Sequence, residues 1–249
     1  LLVVPALSQS SGQPQAGSSP AQPPQAPAST PSPQQPVPAD KSQNPDKNKP
    51  EGVSKDRLFY ALPNFLTLEN AGQVPPLSTK EKFKVVTKGS FDYVQIPWYA
   101  FLAGISQAED SEDGYGQGAA GYGKRFGAYF ADGTIENYMT GAILPTVFRE
   151  DPRYFQSGKG SFSRRTGYAI SRIFVTRTDS GHQQFNFSEI FGSALSAGIS
   201  TYSYHPHADR NLPNALSVWG TQVGYDTITL VVKEFWPDIR RKMQKKKTH

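Results

Sequence analysis

The sequence predicts an all-α fold: a bundle of about five helices with small-residue packing faces, preceded by a disordered Pro-rich segment. Three observations predict it. Ser78-Thr-Lys-Glu81 and Asn186-Phe-Ser-Glu189 have the capping-box spacing that opens helices. Apolar residues recur at helical spacing over much of 78–242. The first fifth of the chain is Gln, Pro, Ser and Ala with hardly an aromatic residue.

Taken in order, residues 1–8, LLVVPALS, read as a signal-peptide remnant, with Ala6-Leu7-Ser8 as a small-x-small cleavage pattern and a mature start near Gln9. Residues 9–54 read as a Pro/Gln/Ser-rich tether, too poor in apolar surface to offset its ordering entropy. The helical domain then covers 55–249. Phe59 to Leu68 is an extended lead-in across it. From Ser78 a helix runs to about Gln107 with a bend at Pro97, followed by an acidic, glycine-rich loop from Glu109 to Gly118 that lacks EF-hand spacing. A second helix spans Ala119 to about Phe148, and a third covers Phe162 to Thr176. A fourth runs from Asn186 through Ser203, and a last one from Leu212 to Lys242 bends at Pro237.

The stretch AAGYGKRFGAYFADG, 119–133, carries the packing argument. At 100° per residue Gly123, Gly127 and Ala131 share one narrow face, and Arg125, Tyr129, Asp132 and Glu136 share the opposite one. The smooth face predicts close approach of another helix, a glycine-zipper pattern repeated by Gly192 and Ser196 and by Gly220 and Gly224. The competing reading takes Asp132-Gly133 as a hairpin turn, which, repeated, would make an outer-membrane β-barrel. Helical periodicity downstream favours the bundle. No segment reaches about 20 uncharged apolar residues, the length needed to span a bilayer: Glu189 interrupts Phe187 to Tyr204, and Asp226 interrupts Ala215 to Val232.

The chain has 249 residues, no Cys and a formal charge of +5. Disulfides, thiolate metal sites and a Cys nucleophile are excluded. Candidate chemistry gathers in one polar set: Arg125, Asp132, Glu136, Arg149, Asp151, Arg153, Arg172, Arg177 and Asp179. Paired carboxylates among arginines suit general acid-base work if burial separates their pKa values, and they equally suit a structural ion network. Asp151-Pro152 reads as a helix cap followed by a first-turn proline. Ser180 beside His182 lacks a nucleophile elbow, and His205-Pro-His207 lacks a third metal ligand. No metal or cofactor motif is read. The basic run from Arg240 to Lys247 suits a membrane surface, a protein partner or self-association is a further expectation, and nucleic acid is not expected.

GYGKRFGAYFADG, AILPTVFREDPRYF and RTDSG with the following N-F-S-E together resemble a family of uncharacterised exported proteins of acidobacterial-type Gram-negative bacteria, over roughly Gly114 to Asp238. The resemblance implies an envelope location, in the periplasm or outer membrane, and supplies no catalytic residues. The leading expectation is therefore an exported structural or binding module. The runner-up is an envelope hydrolase using Asp132, Glu136 and Asp151, and the third is the barrel.

Overall fold

In the computed structural model, Ser54 and residues 57–59, 62–69 and 74–247 are described. The signal remnant and the tether lie outside these residues, apart from Ser54. The described residues fold into six helices of ten or more residues: α1 (Thr79–Ser90), α2 (Gln95–Ala108), α3 (Gly118–Tyr138), α5 (Phe162–Ser171), α6 (Phe187–Ser203) and α7 (Leu212–Lys247). A short α4 (Leu144–Val147) follows α3 after a widened π-helical stretch, Met139–Ile143.

Strand segments trim the bundle. β1 (Arg57–Leu58) pairs with β2 (Leu62–Pro63), and β3 (Thr67–Leu68) runs parallel to β5 (Tyr154–Phe155). β4 (Glu150–Asp151), β6 (Val175–Thr178) and β7 (Gln183–Phe185) form an antiparallel sheet in which Asp151 lies opposite Arg177. These pairings correct two expectations. Asp151-Pro152 opens no helix, because Glu150 and Asp151 pair with β6. The third helix stops at Ser171, where the chain turns into β6. RTDSG is the bend of the β6–β7 hairpin, with Gly181 at φ +89° supplying the left-handed position.

Both helix starts form, by different means. At α1 the Ser78 hydroxyl accepts from the Glu81 amide while the Glu81 carboxylate accepts from the Ser78 amide, a complete capping box. At α6 the Asn186 side chain accepts from the Glu189 amide at 3.1 Å, but Glu189 does not reach back. Glu150 of β4 does that work instead, accepting from the Phe187 and Ser188 amides at 3.1 and 2.9 Å. A carboxylate on the amino end of a helix meets both free N–H groups and the favourable end of the dipole. The expected bend at Pro97 becomes a break before it. Asp92 receives Arg57 through two hydrogen bonds of 3.0 and 2.6 Å and caps the turn at Val94, and Pro97 sits in the first turn of α2, where its missing N–H costs nothing.

The helices approach on small residues, but on only some of those the periodicity singled out. Gly123, Gly127, Gly220 and Gly224 face open space, whereas a Cβ at Gly133 would meet the Tyr99 hydroxyl and one at Gly141 would meet Val86. Of the expected set, Gly192 packs on the backbone of Met139 and Thr140, Ser196 is fully buried, and Ala131 is half-buried. The glycine-zipper reading is thus corrected: the Gly123–Gly127 face points outward, and the Arg125 face points in. The outer-membrane barrel, and the outer-membrane location that went with it, are corrected as well. Among the described residues the strands are two to four residues long and form three separate small sheets. No described helix is long and apolar enough to cross a membrane.

Candidate functional site

The interior is polar to an unusual degree. The Lys82, Arg125, Glu150, Arg153 and Glu234 side chains are all less than 5% exposed, as are Ser188, Ser193, Ser196, Ser200 and Thr201 along one side of α6. The nine polar residues singled out in the sequence do not form one network; the fold distributes them over separate sites.

Arg125 serves the loop before its own helix, donating to the carbonyls of Ser111, Glu112 and Gly116 and to the side chain of Gln107. Asp151 is held by Arg153 at 2.6 Å, and Arg153 also donates to the Pro75 carbonyl. Asp179 receives Lys82, whose ammonium reaches the carbonyls of Pro145 and Glu150 as well, tying α1 to the hairpin. Arg172 lies over the Tyr168 ring and exposed Arg177 over the Phe155 ring. Arg149 is exposed at φ +55°, and its carbonyl accepts from the Asp179 amide. Asp132 accepts from the Tyr204 hydroxyl and lies 3.4 Å from His205 Nε2. Glu112 is at ion-pair distance from the other ring nitrogen, 3.3 Å away, without the alignment of a hydrogen bond. Burial opposes charge on His205, but the adjacent Asp132 and Glu112 carboxylates outweigh it and raise the pKa to about 9. Asp132, Glu136 and Asp151 therefore do not converge on a common cleft, the geometry an acid-base hydrolase would need.

The chemically distinctive group joins one foreseen site residue, Glu136, to three that were not singled out as a site. Glu136 of α3, Glu189 of α6 and Asp226 and Lys233 of α7 meet where those helices pack. Burial, reinforced by Asp226 and Asp132, raises the Glu136 pKa to about 9. Burial and the neighbouring Asp226 also hold Glu189 well above the carboxylate range. Burial raises Asp226 despite its hydrogen bond with Glu189, and lowers Lys233 despite the nearby acids. Three acids against one lysine leave protons to balance the remaining charge. Next to them lies a cavity of about 220 Å³. A smaller one of about 120 Å³ shares Thr140, Tyr154 and Glu189 with it. Among the described residues no cluster of His, Cys, Asp and Glu has the arrangement to hold a metal ion. Sequence reasoning met Glu189 as a helix cap and Asp226 as an obstacle to membrane spanning. The usable signal was that each is an acid isolated within an apolar helical stretch.

The exterior is the converse of the interior. Phe187, Phe191, Leu195, Ile199 and Tyr202 follow one another along the outer side of α6, with Phe191 and Leu195 about half exposed at 48% and 51%. Trp98, Phe101 and Ile105 make a shorter outer row on α2, and Leu212, Leu216 and Ile228 stand out from α7. In the sequence α2, α3, α6, α7, each helix packs on the next.

No protein-family model, curated protein or solved structure matches this chain.

Proposed function

We propose that this protein is a binding module that seats its outer helices in a lipid surface. The observation that carries the reading is the reversal of amphipathicity: α6 turns Ser188, Ser196 and Ser200 inward and Phe191, Leu195 and Ile199 outward. In water this arrangement leaves apolar area hydrated while hydroxyls are buried, and both cost free energy. Against hydrocarbon the same arrangement is favourable.

The occupant is read as lipid rather than another protein because exposed apolar rows on three helices accompany a basic helix end, and a lipid surface offers hydrocarbon and anionic head groups together. The charge pattern agrees. α2 carries no charged residue, and α6 carries only Glu189, which lines the interior cavities. Positive charge is collected at the end of α7 in Arg240, Arg241, Lys242 and Lys245, suited to anionic head groups. The helices lie in the interface rather than span it, consistent with their length and hydropathy.

Flotation with phosphatidylglycerol-containing vesicles tests the reading. The chain is expected to float with vesicles, more weakly with phosphatidylcholine alone. A Phe191→Ser/Leu195→Ser double variant should lose at least about tenfold in binding, since two large apolar side chains each contribute about 1.5–3 kcal/mol. A chain that stays at the bottom of the gradient and sediments as a defined dimer would overturn the proposal in favour of self-association.

A further inference from the structure

The larger cavity combines features that the lipid-surface reading does not use. Its walls come from the segment after β2, from α1, the start of α2, α3, β5, α6 and α7. Its apolar lining is formed by Phe65, Leu66, Val85 and Val86, with Leu230 beside the ionisable residues on α7. The rest of the lining includes ionisable groups of both kinds, the acids Glu189 and Asp226 and the base Lys233. These three keep some accessible surface because they line the cavity, yet protein crowds round them on the other sides.

Two further atoms point to a ligand. The Ser90 hydroxyl lines the cavity from a residue only 1% exposed and has no hydrogen-bond partner, and Glu189 Oε1 is likewise buried and unpartnered. Unpaired polar groups at such depth cost free energy that a bound polar molecule would recover.

Asp226 and Lys233 are seven residues apart on α7, about 10 Å along the helix axis. Glu189 hydrogen-bonds to Asp226, so the acids form one pole of the cavity and the lysine another. We propose that this cavity binds a small apolar zwitterion, with Glu189 and Asp226 receiving its ammonium group, Lys233 its carboxylate, and the Phe65–Val85–Val86 wall its hydrocarbon side chain. An apolar α-amino acid has this chemistry. A simple amine would leave Lys233 facing a second cation, and a simple carboxylate would leave the acid pair unmatched. The cavity is smaller than the pockets that take drug-sized molecules, which limits the ligand to a few carbons beyond its charged groups. The inference stands apart from the lipid-surface reading, since the cavity lies within the bundle, and failure of vesicle binding leaves it untouched.

Isothermal titration calorimetry of the full chain tests it with three probes of one shape: L-leucine, isopentylamine, which lacks the carboxylate, and 4-methylpentanoate, which lacks the ammonium. Leucine is expected to bind, and each analogue to bind at least about tenfold more weakly, the loss of one charge-assisted contact. Lys233→Met should erase the preference for leucine over isopentylamine, and the double variant Glu189→Gln/Asp226→Asn, which removes both acids, should erase that over 4-methylpentanoate. Equal binding of leucine and either analogue by the unaltered chain would overturn the proposal without recourse to a variant. So would the absence of binding by leucine.

Discussion

The Arg125 guanidinium is completely buried, and its partners are mostly backbone carbonyls of a loop that in sequence is acidic and glycine-rich. Among the described residues only one carboxylate, that of Asp110 at 3.4 Å, pairs with it. Arg125 thus folds residues 111–116 around itself, replacing the hydrogen bonds those carbonyls would make to water. A lysine could not reproduce this, because its three donors diverge from a single point whereas the guanidinium offers a planar fork. Arg125→Lys is expected to lower stability by about 3 kcal/mol, the cost of breaking a buried charged network. Hydrogen exchange should show amides 111–116 losing protection first, and unchanged protection there would count against the assignment. The residue was legible in sequence as part of a charged set. Its role was not, because the partners are main-chain atoms that carry no residue-specific signal.

At the scale of elements, α3 shows how far periodicity reaches. The helix itself, its start and the division into a small-residue face and an Arg125–Asp132–Glu136 face were readable from spacing, whereas its end at Tyr138, before the π-helical stretch, was not. Which face turns inward was not. Small residues suit either a close helix contact or an open surface, and buried polar residues are legible only once their partners are in place. Two substitutions read the orientation directly. At Gly127, exposed in mid-helix with open space around the Cβ position, alanine should stabilise by about 1 kcal/mol through helix propensity. At Gly133 a Cβ would lie 2.0 Å from the Tyr99 hydroxyl, and alanine should destabilise by about 1–3 kcal/mol through overpacking. Urea denaturation of the two variants should give shifts of opposite sign.

For the molecule as a whole, buried titratable groups set a pH dependence. His205 has a folded pKa of about 9, above its ordinary 6.5. Its contribution is fully present below pH 6.5 and is lost as pH rises through 9. Glu136 keeps its proton to about pH 9 in the folded chain but releases it near 4.5 when unfolded. The fold therefore loses stability on its account between those values. Both effects have the same sign from pH 6.5 to 9, so the midpoint of urea unfolding should fall steadily over that window. Glu136→Gln, which keeps the shape and removes the ionisation, is expected to raise stability at pH 7 by roughly 2–3 kcal/mol and flatten the profile. An unchanged slope in that variant would mean Glu136 is ionised in the fold.

By itself the sequence determined that the main domain is helical, where most helices begin, and that α1 and α6 are capped, because caps and periodicity are local properties of consecutive residues. It also showed that no helix is built to span a bilayer. The tertiary structure alone decided that Ser188, Ser196, Ser200 and Arg125 lie inside while Phe191 and Leu195 lie outside. It alone broke the expected charged cluster into separate pairs and brought Glu189, Asp226 and Lys233 to one cavity. The physical reason is that burial and charge pairing depend on side chains as many as 171 positions apart, and a helical pattern fixes a face without fixing what the face meets.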